Sequence, residues 1–517
     1  MRFIIILSIL VITSCSRVEE EQAWRIIPFP NAISSQSGTF SFDDGVAITF
    51  SDAKLQTIVD YFKERLNKIG VKTDNDAGRV VYLELTSSKA GQKEAYELDV
   101  SETRVEISAA DANGIFYGLM TIWQELELTN KKSIPCGIVK DEPRFGYRGF
   151  MLDESRHFFG KEKVMQILEI MATLKLNTFH WHLTDATGWR IEIQSFPRLS
   201  TIGGKGDRTN PDGPAAYYSQ DDIKEVVKFA EERFITIIPE IDMPGHASAA
   251  NRAYPAFSGG GSEKYPDFTF NPGKDATYTY LSKILKEVAG LFPSKYIHLG
   301  GDEVHFGNEE WATNDEVKAL MKREDLGTLV GVEHYFINRM NDSLRAMDKG
   351  IAGWDEIVEA GVSNENTLIY WWRHDKEEVL ESALDKDFQT ILCPRIPLYF
   401  DFVQHDTHKN GRRWKGFGTI EDVYHYPDST HRFSSEEMTL IEGIQGNLWT
   451  ENIDSDQWLD FMTFSRMIAL SESAWTKSSN KRLSRFKSSL PLWHRYLEEQ
   501  GIYFFNSLGL EFHPEPQ

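Results

Sequence analysis

YRGFMLD (147–153) opens a series of short apolar runs, and that series decides the fold. It continues through NTFHWHLTD (177–185), ITIIPEID (235–242), KYIHLGGDE (295–303), GIAGWDE (350–356), TLIYWW (367–372), QTILCP (389–394) and IEGIQGNLW (441–449). The runs are apolar almost throughout rather than alternating, as strands buried on both faces are. Helical stretches separate most of them. After the first run, Val164, Ile167, Leu168, Met171 and Leu174 share one helical face. After the second, Ser219 to Asp222 reads as a capping box. The face behind it is Ile223, Val226, Val227, Ala230 and Phe234. After the third come Leu281, Ile284, Leu285 and Val288. Eight buried strands alternating with amphipathic helices predict an α/β protein with a (β/α)8 barrel over residues 145–500, including C-terminal helices. The connector after the fifth strand is short, so its helix is expected to be degenerate.

Upstream the pattern changes. YLELT (82–86), AYELDV (95–100) and RVEISA (104–109) alternate apolar and polar residues like half-buried strands. Residues 55–70 and 114–128 carry helical spacing, the first stopping at Gly70. This predicts a small α+β domain over 24–143, ending in the polar boundary KDEPRFGYRG (140–149).

Before it, Arg2 and the apolar FIIILSILVI form a signal segment too short to span a bilayer at ~20 residues. Residues 1–14 are therefore expected to be removed. Ile12-Thr13-Ser14-Cys15 resembles a bacterial lipobox, which makes Cys15 the expected lipidation site. Ser16, rather than Asp, fits outer-membrane sorting. Acyl chains would then hold the protein to the cell envelope without a membrane-spanning helix.

Composition narrows the function. Lys and Arg number 56 against 78 Asp and Glu, a net charge of −22, which disfavours nucleic acid as a partner. Three cysteines exclude a disulfide scaffold. Thirteen Trp and 19 Tyr exceed the needs of packing and offer faces for sugar rings.

In a parallel barrel the chemistry sits at the C-terminal ends of the strands. Here those ends gather Asp153 to His157, Asp185, Glu240 to His246, Asp302-Glu303, Trp354 to Glu356, Trp371-Trp372, Tyr399 to Asp401 and Trp449 to Glu451. Asp-Glu pairs also occur elsewhere, but the pair at 302–303 follows a strand that closes in two glycines. Two adjacent carboxylates in a partly dry site cannot both ionise cheaply, so one should retain its proton and act as an acid.

At this point the chain resembles a known family. HLGGDEV (298–304), with FMLDESRHF (150–158), HWHLTDATGWRIEI (180–193), PEIDMPGH (239–246), AGWDE (352–356) and GNLWTE (446–451), is similar to the β-N-acetylhexosaminidases of glycoside hydrolase family 20. The region before the barrel resembles the small domain that often precedes it. The resemblance implies an exo-acting, retaining enzyme that removes terminal β-linked GlcNAc or GalNAc without a cofactor or metal. The substrate's own 2-acetamido oxygen would attack the anomeric carbon and form an oxazolinium intermediate. Glu303 would act as acid and then as base, Asp302 would orient the acetamido group, and Tyr399 would hold its oxygen. Arg156, Asp401 and Glu451 would bind hydroxyls. Trp449 would stack on the ring, and Trp354 and Trp372, rather than Trp371, would wall the acetamide pocket. Asp185 and His246 would support the acid. One departure is visible: Asp185 is followed by Ala186-Thr187 where the family often has Asp-Gln.

Two rival readings remain. His180, His182, His246, His298 and Asp302 could form a metal-dependent hydrolase site. A non-catalytic glycan-binding protein on the same fold would need to have lost Asp302, Glu303 or Tyr399, and all three are present. The basic segment KNGRRWKGFG (409–418) is read as an exposed loop, with an outer subsite or an acidic-sugar contact as the alternative.

Overall fold

The computed structural model describes residues 24–87, 93–414 and 416–516. The leader and Cys15 lie outside these residues. Strands β1 (Ala32–Ser41), β2 (Ala47–Phe50), β3 (Val80–Leu85), β4 (Tyr96–Val100), β5 (Arg104–Ala109) and β6 (Ser133–Asp141) form one sheet in the order β1-β6-β4-β5-β3-β2. β3, β4 and β5 stand where alternation predicts them. β1, β2 and β6 carry no such signal. β1 is a mostly exposed edge strand rich in Ser, β2 has 4 residues, and Pro135 interrupts β6. Helix Ala112–Thr129 is buried along most of its length, between this sheet and the barrel's C-terminal helix Leu483–Glu499.

All eight apolar runs become strands of a closed parallel barrel. They are β7 (Tyr147–Asp153), β8 (Thr178–His182), β9 (Thr236–Glu240), β12 (Tyr296–His298), β13 (Gly350–Trp354), β14 (Thr367–Trp371), β15 (Gln389–Leu392) and β16 (Ile441–Leu448). A small hairpin, β10 (Ser258–Gly260) and β11 (Thr269–Phe270), lies in the loop after β9. The ring closes where β9 meets β12, with Glu240 opposite His298. The capping box forms as predicted: Ser219 Oγ accepts from the Asp222 N–H, and Asp222 accepts from the Ser219 N–H. The connector after β13 begins as a 3-10 turn, Asp355–Glu359, in place of a full helix.

Buried charge joins the two domains. Arg148 on β7 meets Glu94 at 2.7 Å and donates to the Tyr117 hydroxyl at 3.0 Å. Lys175, just before β8, lies 3.0 Å from Asp141 and donates to the Tyr96 hydroxyl at 2.9 Å. Both cations belong to the barrel, and all four partners belong to the first domain. Neither cation reaches water appreciably, so each depends on these partners.

Candidate active site

A cavity of about 510 Å³ opens at the C-terminal end of the barrel. Asp302 and Glu303 line it, with Arg156 and His246 beside them. Trp354, Trp372, Tyr399 and Trp449 supply its aromatic walls, and Glu451 its outer edge. Trp372 and Tyr399 lie nearly parallel, 6.2 Å apart. Trp371 turns away into the core and donates to the Lys376 carbonyl. A larger cavity, of about 650 Å³, sits at the opposite end among Asn177, Thr236, Lys295 and Glu442. Chemistry in parallel barrels belongs to the other end.

The turn that carries the acid pair is shaped by Gly300. Its φ is +68°, and a Cβ there would lie 1.8 Å from Asp242 Oδ1, so a side chain is excluded twice over. Glu303 itself sits in the left-handed region at φ 52°, as does His246 at φ 53°. Such backbone is held only where surrounding contacts over-determine it.

Two expected residues lie behind the cavity wall. Asp185 is buried among cations. Its Oδ2 lies 2.7 Å from Arg156 and 3.0 Å from His182, and its Oδ1 lies 3.0 Å from His246 Nδ1. Burial opposes ionisation there, but Arg156 and His246 hold its carboxyl well below the usual range. The replacement of Asp-Gln by Ala186-Thr187 therefore leaves this position intact. Asp401 is also buried, with Arg412 Nε 2.8 Å from its Oδ2. Arg156 is both an ion-pair partner and a cavity residue: it reaches Asp153 at 3.2 Å, and its guanidinium lies over the Trp449 ring at 4.9 Å.

Both acids of the pair are pushed upward. Burial raises Asp302 to about 7, opposed by His246 and reinforced by Glu303. Burial raises Glu303 too, again opposed by His246 and reinforced by Glu356. Neighbouring carboxyls share their titration, so the pair retains a proton near neutral pH as a unit. His246 Nε2 faces both, 3.5 Å from Asp302 and 3.9 Å from Glu303. Despite burial, Asp185 and Asp302 raise His246 to about 9.

Below the pair lies Glu240. Its Oε2 is 2.8 Å from His180 and 2.7 Å from His182, and its Oε1 is 3.1 Å from His298. Oε1 also accepts the Trp354 indole N–H at 2.9 Å. His180, Glu240 and His298 could offer three ligand atoms to a metal, as could His182, Asp185 and Asp242, or Asp242, His246 and Asp302. In the first set the carboxylate already bonds an indole, and Gln445 Nε2 lies 3.1 Å from His180 Nδ1. The three histidines of this cluster, His180, His182 and His298, thus face the Glu240 carboxylate as a buried network of ion pairs.

Phe306 and Arg395 carry no signal in the sequence, and Arg412, Arg413 and Trp414 are marked there only as part of the basic segment 409–418. Phe306, Arg395, Arg412, Arg413 and Trp414 line the mouth of the cavity. The basic segment is thus part of the site rather than a bystander loop. Its signal was a run of cations in an acidic chain. Glu356 accepts the Trp372 indole N–H at 3.0 Å, and burial raises Glu333 nearby to about 8.

Comparisons agree with this geometry. Residues 145–478 match the catalytic domain of glycosyl hydrolase family 20, and residues 23–142 match domain 2 of that family. A β-hexosaminidase of Porphyromonas gingivalis is 32% identical, over 90% of this chain and 62% of its own length. The chain thus spans less than two thirds of that relative. A β-hexosaminidase of Vibrio furnissii is 31% identical, over 87% of this chain and 76% of its own. The crystal structure of an exo-β-N-acetylglucosaminidase from Vibrio harveyi, in complex with N-acetylglucosamine, superposes with a TM-score of 0.86. It shares 31% identity and covers 94% of this chain and 79% of its own. With both of its domains matched in order, the chain belongs to glycosyl hydrolase family 20.

Proposed function

We propose that the protein is an exo-acting, retaining β-N-acetylhexosaminidase that removes terminal β-linked GlcNAc or GalNAc from glycans. The observation that carries this reading is the acid pair Asp302-Glu303 lining an aromatic-walled cavity together with Tyr399. Both carboxyls come from one turn, as in the family that the chain matches. The nucleophile is therefore assigned to the substrate's 2-acetamido oxygen, which forms the oxazolinium ring. Family 20 is an exception to the two-carboxylate rule of retaining glycosidases.

In this mechanism Glu303 donates a proton to the departing glycosidic oxygen and then takes one from the incoming water. Asp302 accepts from the acetamido N–H and stabilises the charge that develops there. Tyr399 donates its hydroxyl to the acetamido oxygen. Trp354 and Trp372 wall the acetamide, and Trp449 stacks on the ring. Arg156, Asp401 and Glu451 bind ring hydroxyls. His246, held by Asp185, keeps a positive charge beside the pair.

The lipobox ending at Cys15 supports a lipid anchor and a place in the bacterial cell envelope. A foraging role on glycans follows from that location.

The test is a pair of chromogenic substrates, 4-nitrophenyl N-acetyl-β-glucosaminide and 4-nitrophenyl β-glucoside. The first should be cleaved and the second left inert, because it lacks the internal nucleophile. Rapid glucoside cleavage would overturn the mechanism. Sugar binding without turnover would favour the lectin-like alternative.

A further inference from the structure

The loop that carries Arg412 is built to deliver its side chain to one place. Arg412 N–H donates to the Asp401 carbonyl at 3.0 Å, and its own carbonyl accepts from Val403 N–H at 3.0 Å. This short parallel bridge fixes the register of the basic segment against the chain just after Tyr399. Gly411 makes the approach possible. Its φ is +114°, and a Cβ there would lie 2.8 Å from the Val403 side chain. Farther out, Glu515 pins the loop by accepting the N–H groups of Lys409 and Asn410, each at 2.8 Å.

So placed, the guanidinium spans two acids. Nε lies 2.8 Å from Asp401 Oδ2, and Nη2 donates to Glu451 Oε1 at 2.6 Å. Asp401 is nearly sealed, with its side chain 5% exposed, whereas that of Arg412 is 44% exposed. The cation therefore caps the two acids from the solvent side. Among the described residues, neither Asp401 oxygen nor Glu451 Oε2 accepts a hydrogen bond, so Arg412 meets Asp401 as an ion pair. On each acid one oxygen faces Arg412 and the other is buried without a hydrogen-bond partner. A forked, permanently charged side chain suits this task, and an ammonium does not reach two carboxylates in the same fixed geometry.

We infer that Arg412 is a positioning residue for substrate recognition: it orients Asp401 and Glu451 so that both accept hydrogen bonds from hydroxyls of the terminal sugar. This rests on the hydrolase reading above. The need for the cation is electrostatic. Burial raises Asp401 to about 7, Arg412 opposes that rise, and Glu451 adds to it. The charged groups facing Asp401 are Arg412 and Glu451, with Arg466 of helix Asp456–Trp475 behind. Arg156 lies 3.9 Å from Glu451. Without Arg412, Asp401 would carry its proton to higher pH and would lose its capacity as a charged acceptor.

The test uses the full chain with Arg412→Ala and Arg412→Lys, measured on 4-nitrophenyl N-acetyl-β-glucosaminide. Arg412→Ala should raise KM about tenfold or more while kcat changes far less. It should also move the acid limb of kcat/KM to higher pH. Arg412→Lys should restore the pH limb, because it keeps the charge, and should recover KM only in part. Analogues deoxygenated at C3, C4 or C6 supply a second measurement. The Arg412→Ala penalty should shrink on at least one of them, because the hydroxyl that the clamp serves is then absent. A circular-dichroism melt confirms that the variant is folded. An unchanged KM and pH limb in folded Arg412→Ala would overturn the inference, as would a penalty equal on all analogues. Failure of the parent reading looks different, since the unmodified protein would then not cleave the substrate at all.

Discussion

His246 Nδ1 lies 3.0 Å from Asp185 Oδ1, and this contact turns the opposite ring nitrogen toward Asp302 and Glu303. The contact is one link of an alternating row. Glu240, His182, Asp185, His246 and Asp302 follow one another at 2.7, 3.0, 3.0 and 3.5 Å. Each imidazole in the row stands between two carboxyls, so the charge beside the acid pair is fixed before any substrate arrives.

Removing the acid should separate good leaving groups from poor ones. Glu303→Gln is expected to lose roughly 10²–10⁴-fold on unactivated disaccharides, the scale of general acid catalysis. It should lose much less on substrates whose leaving group needs no proton. A comparison of kcat/KM for chitobiose and a dinitrophenyl glycoside measures this, and equal losses on both would contradict the assignment of Glu303.

Asp302→Asn should also be severely slowed, and added azide should restore little activity. Azide rescues enzymes that have lost a carboxylate nucleophile, and here the nucleophile belongs to the substrate. Isolation of an α-linked glycosyl azide in high yield would point to a conventional double displacement.

The upward shift of the acid pair has a kinetic signature. Asp302 is raised to about 7 by burial, and Glu303 moves the same way. The proton that the pair must retain is lost as pH rises through that value. The alkaline limb of kcat/KM should therefore fall near neutrality rather than near pH 4–5. A flat profile from pH 5 to 9 would count against a shared proton.

Stability should respond to His182. Although burial opposes its charging, Glu240 and Asp185 raise it from 6.5 to about 10. A group raised on folding contributes stability that is fully present below its unfolded value and is lost as pH rises through the folded one. The melting-temperature gap between the protein and His182→Gln should thus be widest below about pH 6.5. It should narrow progressively toward pH 10. A gap that widens with pH would mean that His182 is neutral in the fold.

Dialysis against a strong chelator should leave the hydrolysis rate unchanged, because the buried histidines already face carboxylates within the network. Loss of activity, restored by zinc, would revive the metal reading.

The barrel could be read from the sequence because its strands are largely buried on both faces, which leaves short, mostly apolar runs such as ITIIP (235–239). The first domain was only half readable. β1 presents Ser and Gly to solvent, so burial imposes no alternation on it. Within the site, Asp302, Glu303 and the tryptophans sit beside strand ends and could be placed from order alone. Arg412 could not, since its partners Asp401 and Glu451 lie on other loops and only folding unites them. The same holds for Glu240, whose role depends on three histidines drawn from two different strands.

Arg148 and Lys175 give the two domains a common fate. Were residues 24–143 cut away, both cations would lose their counter-charges, and the apolar surface packed around them would be opened to water. The barrel is thus not a freestanding module that happens to follow another. Calorimetry should record a single endotherm, and a proteolytic nick at the seam should cost the molecule its catalytic half as well.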